Sequence, residues 1–152
     1  MRKVFAALAA VLMLAVAVQF FLAAMGSFDT APKDESFQPH RAMGNGILLF
    51  AVALTLFAAV ARLPGRLIGM TGLVAGLILL QSVIQELANA FGDSSGSTST
   101  AGELVFGLHA VNGLLIATVG GRIFLRAREL ASSGAPAETA PGSGARTTER
   151  TS

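Results

Sequence analysis

The 152-residue sequence contains no cysteine, no tryptophan and no tyrosine. Without cysteine there is no disulfide scaffold and no thiolate chemistry, whether nucleophilic or zinc-binding. Without Trp or Tyr, the usual aromatic belt of a membrane protein cannot form, and the ten phenylalanines are the only aromatics that could take its place. Charge is also scarce. Asp, Glu, Lys and Arg make up 13% of the chain, about half the ~25% of a soluble domain. The pI of about 9.9 rests on a net charge of only +2, with the arginines set beside apolar segments, which excludes a nucleic-acid-binding surface. There is no G-x-S-x-G, no P-loop and no H-E-x-x-H. No segment alternates with period two, which argues against an outer-membrane barrel.

What is present is apolar. The hydrophobic set reaches 53%, and it is concentrated before residue 131, because 131–152 hold no large apolar side chain. A soluble domain of this size could not hide that much apolar surface. Four runs are long enough to cross a ~30 Å hydrocarbon core as helices, which takes about 20 residues. They are Val4–Met25, Ala42–Ala61, Leu67–Ala88 and Leu104–Leu125. The expected architecture is therefore all-α, an integral membrane four-helix bundle. Its helices are expected over about 4–25, 37–61, 67–90 and 103–126, with a disordered tail over 131–152. The first run follows Arg2-Lys3 and contains Ala15-Val16-Ala17, which resembles a leader with a cleavage site. It extends well past a ~7–15-residue leader core, so a retained helix is expected.

Arg62-Leu-Pro-Gly-Arg66 is a tight turn, so the second and third helices should be antiparallel neighbours, and Gly92–Gly102 reads as a flexible linker. With four spans, both termini and the 62–66 turn share one side. That side carries nine of the eleven Lys and Arg residues, the other only Lys33 and Arg41. Both termini are expected to be cytoplasmic, in a multi-pass protein of the cell membrane. The excess of Arg over Lys points to a high-GC bacterial genome.

Polar residues within the spans gather in the outer half. Gln19 lies on the first helix, His40 on the second, Gln81, Gln85 and Asn89 along one face of the third, and His109 and Asn112 on the fourth. Ser36 is expected to cap the second helix and Pro39 to occupy its first turn. His40–Gly44 and His109–Gly113 each read H-x-x-x-G, placing a glycine one turn below the imidazole, with room for a neighbouring helix or a flat ligand. Gln19 precedes His40 by 21 residues and Gln85 precedes His109 by 24, a weak two-fold repeat that would set the histidines opposite each other.

Several readings fit these residues. Two opposed imidazoles suit a six-coordinate b-type haem, with Gln19, Gln85 or Asn112 as hydrogen-bond partners, Gly44 and Gly113 making room, and Arg41 at the propionates. The function would then be electron transfer with a redox partner. The same histidines suit interhelical polar packing in a bundle without cofactor or catalysis, acting alone or as a subunit of another membrane protein. A zinc-type site of His40, His109 and Glu86, or a quinone, lipid or small-molecule pocket, also stands open. Gly69, Gly72 and Gly76 are expected to be helix-packing positions, and Arg122, Arg126 and Arg128 interfacial anchors.

Gln19-Phe-Phe-Leu-Ala23, Phe37-x-x-His40-x-x-x-Gly44, Leu80-Gln81 and Leu108-His109-Ala-Val-Asn112-Gly113 together resemble a family of small four-helix bacterial membrane proteins of unknown function, over about residues 1–130. The layout is more distantly similar to one four-helix half of haem A synthase, which carries histidines on its second and fourth helices. That resemblance implies His40 and His109 as axial haem ligands. The chain lacks the second histidine pair, so it implies haem binding rather than haem A synthesis.

Overall fold

The computed structural model describes residues 1–91 and 99–133. Five helices follow in order: α1 (Arg2–Phe28), α2 (Lys33–Ser36), α3 (Gln38–Val60), α4 (Gly65–Asn89) and α5 (Thr100–Ser132). At ~1.5 Å per residue the four long helices measure roughly 35–50 Å, more than the ~30 Å hydrocarbon core. All four are long and apolar enough to cross a membrane. Each packs on two neighbours, in the ring α1, α3, α4, α5 and back to α1, while the diagonal pairs α1/α4 and α3/α5 do not pack backbone to backbone.

The buried apolar positions repeat every four and three residues: Phe5, Ala9, Leu12, Val16 on α1 and Ile47, Ala51, Leu54, Ala58 on α3. Leu67 and Val74 continue the seam on α4, and Ile116, Ile123 and Ala127 on α5. This near-3.5 repeat keeps one stripe of each helix facing the bundle axis. Alternating Ala with larger residues lets the helices approach closely. Most of this core lies in the half of the bundle that carries the N-terminus and the α3–α4 turn.

That turn has a definite chemistry. Arg62 N–H donates to Ala59 O at 3.0 Å and Leu63 N–H to Ala58 O at 3.0 Å. Arg62 takes φ 51°. This is a Schellman C-cap with arginine in the left-handed position that glycine usually fills. Leu63 is buried beneath it and Pro64 caps the start of α4.

Three details depart from expectation. Ser36 does not cap α3. It closes the short helix α2, its hydroxyl donating to Ala31 O at 2.8 Å and Pro32 O at 3.1 Å, and Phe37 holds the cap position without a side-chain bond. Pro39 does sit in the first turn of α3. α5 begins at Thr100, capped by Ser99 Oγ accepting from Gly102 N–H at 3.1 Å, and runs on to Ser132. Of the linker expected over Gly92–Gly102, residues 99–102 form the cap and first turn of α5, and of the tail expected over 131–152, residues 131 and 132 are still helical; 92–98 and 134–152 lie outside the described residues. Of Gly69, Gly72 and Gly76, only Gly72 faces a neighbour, with Thr55 Cγ2 3.8 Å from where its Cβ would be. Gly69 and Gly76 have nothing within 4 Å, so they do not pack on another described helix of this chain.

Candidate functional site

The polar residues of the four long helices meet in one layer, toward the end of the bundle away from the N-terminus. His40 and His109 come from the diagonal pair α3 and α5. Their ring centroids are 6.2 Å apart with planes inclined at 47°. Each imidazole packs against the phenylalanine three residues before it. The Phe37 ring meets His40 edge-on at 6.1 Å, and Phe106 stacks on His109 at 5.2 Å. Both helices thus share Phe-x-x-His-x-x-x-Gly, a signal the histidine–glycine spacing alone did not reveal on α5.

Gln19 holds His40 from both sides. The Gln19 amide Nε2 donates to His40 O at 2.9 Å and lies 3.3 Å from His40 Nε2. His40 Nδ1 lies 3.2 Å from Gln19 O. With Nδ1 protonated and Nε2 accepting, all three contacts are satisfied at once. Gly44 makes this possible, since a Cβ there would lie 3.1 Å from Gln19 Nε2.

On the opposite seam the bonded glutamine is Gln81. Asn112, 3% exposed, donates through Nδ2 to Gln81 Oε1 at 2.9 Å and to Leu77 O at 2.8 Å. Gln85, half-buried on the next turn, has no hydrogen bond to His109 among the described residues, so the expected Gln85–His109 counterpart of the Gln19–His40 pair is replaced by Gln81–Asn112. Gln81 is legible in the sequence as part of the polar face of α4, but the spacing favours Gln85 on that same face. The room beside Gly113 is taken by Phe20 and Gln81, whose nearest atoms lie 3.4 and 3.6 Å from where a Cβ would stand.

Three buried polar atoms in the layer lack a partner among the described residues: Gln19 Oε1, His109 Nδ1 and Asn112 Oδ1. Two are amide oxygens, which only accept. Arg41 is turned to the surface. Its guanidinium donates to the Asp34 carbonyl and lies 4.0 Å from the Asp34 carboxylate. Glu86 is exposed, and among the described residues no three His, Cys, Asp or Glu side chains gather in a metal-holding group. The zinc-type reading therefore has no ligand set.

A porphyrin between His40 and His109 needs a free nitrogen on each ring and space around the iron. As packed, the Gln19 amide occupies His40 Nε2, the nitrogen left for iron while Nδ1 faces the Gln19 carbonyl, and Gln19, Phe20 and Gln81 fill the glycine notches. The residues present do not fit the macrocycle without displacing them.

Fold and layer together define a bundle of four membrane-span-like helices joined by interhelical polar pairs. Residues 19–88 match DUF6220, a family of unknown function; the matched stretch includes Gln19, His40, Gly44 and Gln81 and stops before His109. No curated protein and no solved structure matches the chain, so the likeness to haem A synthase gains no support there.

Proposed function

We propose that this chain is a multi-pass protein of the cell membrane with both termini in the cytoplasm, and that it works as a non-catalytic four-helix module, a partner subunit of other membrane proteins. Its histidines serve interhelical polar packing. The observation that carries this reading is the state of His40, whose two ring nitrogens both face Gln19. Interhelical hydrogen bonds in membranes contribute ~0.6 kcal/mol on average and up to ~1.7, enough to choose one helix register over another. The nine-to-two distribution of Lys and Arg supports the orientation. A reporter active only in the cytoplasm should work at residue 64 and at the C-terminus and fail at residues 31 and 97. The reverse pattern refutes the orientation.

Two observations favour a second reading, a b-type haem serving electron transfer. The imidazoles lie 6.2 Å apart on diagonal helices, and His40 Nδ1 already faces a carbonyl, the partner a metal-bound imidazole usually keeps. One preparation separates the two. With no Trp or Tyr, the protein itself barely absorbs at 280 nm, so bound haem would dominate the spectrum. Under the packing reading, material from haem-replete cells is colourless, and His40→Gln, which keeps an amide in the hydrogen-bonding position, melts like the wild type. A Soret band lost in both His40→Ala and His109→Ala overturns that reading in favour of haem.

A further inference from the structure

We propose that Arg66 and Arg126 form a binding site for the phosphate headgroup of an anionic lipid, at the end of the bundle that carries the N-terminus. A cavity of about 270 Å³ opens between the start of α4 and the last turns of α5. Its lining includes Arg66 and Arg126, one from each helix, together with Pro64, Leu67 and Leu130. Glu129 also borders it, so two cations face one carboxylate. Neither arginine is in an ion pair among the described residues. That leaves ten N–H donors in two planar forks, the geometry that meets phosphate oxygens two at a time.

The apolar floor separates a lipid from a free anion. Leu67 is almost fully buried, so the apolar lining a ligand reaches is that of exposed Pro64 and half-buried Leu130, beside the two arginines. Inorganic phosphate would use only the basic side. A lipid would set its phosphate between the arginines and the start of its acyl chains against Pro64 and Leu130. The level is also right. Arg66 lies one residue into α4, and Arg126 directly follows the apolar run Ile123-Phe124-Leu125, at the boundary where headgroups lie. Arg128 serves as a control, because it lines a separate cavity and its guanidinium sits over the Phe124 ring at 5.6 Å.

The test uses the purified full chain in detergent and native mass spectrometry. The probes are dioleoylphosphatidylglycerol, dioleoylphosphatidylcholine and inorganic phosphate, at equal concentration. One phosphatidylglycerol should stay bound where phosphatidylcholine is stripped. Each arginine near an anionic headgroup changes affinity about 5-fold, so Arg66→Ala/Arg126→Ala should weaken the adduct about 30-fold. Arg128→Ala should leave it unchanged. Arg66→Lys/Arg126→Lys, which keeps the charge but loses the fork, should fall between and keeps the test valid if the alanine pair fails to fold. Equal retention of the two lipids, or an adduct indifferent to the double variant, overturns the proposal. Phosphate that binds alone and displaces the lipid overturns the lipid assignment. Binding in detergent has no sidedness, so this outcome is independent of the reporter result for orientation.

Discussion

The bond between Gln81 and Asn112 can be weighed by a double-mutant cycle. Gln81→Ala removes one interhelical bond, the 2.9 Å contact between Gln81 Oε1 and Asn112 Nδ2. Asn112→Ala removes that bond and the 2.8 Å bond to Leu77 O. It also removes the buried Oδ1 that has no partner among the described residues, which offsets part of the loss. At ~0.6 kcal/mol for an average bond of this kind, Gln81→Ala should cost about 0.6 kcal/mol and Asn112→Ala about 1. The double variant should cost less than the two singles added. The difference, the coupling energy, should be about 0.6 kcal/mol and no more than ~1.7. The assay is reversible unfolding in mixed micelles of phospholipid and dodecyl sulfate, followed by far-ultraviolet circular dichroism. Gln81→Ala with Thr118→Ala is the control cycle, since the Thr118 hydroxyl bonds only within its own helix, to Leu114 O. That pair should be additive. A Gln81–Asn112 coupling below ~0.3 kcal/mol, the ordinary scatter of additive pairs, would refute the claim that the polar layer joins α4 to α5.

Gly26→Ala should destabilise by about 1–3 kcal/mol, because its Cβ would stand 2.8 Å from the Ser36 carbonyl oxygen, backbone that cannot swing aside. Gly76→Ala, with nothing within 4 Å, should instead stabilise α4 by about 0.5–1 kcal/mol, and the same micelle titration that gave the reverse order would count against both. Arg62→Gly should raise stability by about 1 kcal/mol by relieving the left-handed backbone at φ 51°, whereas Arg62→Val should lower it; a thermal melt in detergent with both variants shifted the same way would contradict the Schellman assignment.

Much of the architecture was legible because the signals were long. Four apolar runs of some twenty residues left little choice in helix number, and the Arg62–Arg66 turn set α3 beside α4. The gathering of Gln19, His40, Gln81, His109 and Asn112 in one layer followed from counting turns along each helix. What spacing could not settle was the partner. Gln81 and Gln85 lie one turn apart on the same face of α4, and only the axial offset between α4 and α5 decides which reaches Asn112. The glycine notches were ambiguous for the same reason. Gly44 and Gly113 do leave room, but the side chains that take it, Gln19 and Phe20, are adjacent in sequence and come from a third helix. The helix ends at Ser36 and Thr100 were misplaced because hydroxyl residues cap, close a turn or stay free according to contacts tens of residues away.

The division of the bundle into an apolar half and a polar half has a physical consequence. Under the proposed membrane placement, an apolar seam gains little by facing another apolar helix rather than acyl chains, so the repeat of Phe5, Leu12, Leu54 and Val74 does not by itself distinguish one register from another a turn away. Each of the four seams in the ring carries a separate device that does. Between α1 and α3 it is Gln19 on His40, which a slip of one turn would break at three contacts together. Between α3 and α4 it is the Schellman turn, too short to permit sliding. Between α4 and α5 it is Asn112, bonded to Gln81 and Leu77. Between α5 and α1 there is no polar bond among the described residues. There the fit is steric, with Phe20 against Gly113 and the Met13 sulfur 2.9 Å from where a Gly120 Cβ would stand. A larger residue at Gly113 or Gly120 would press on the one seam that has no directional bond to restore it.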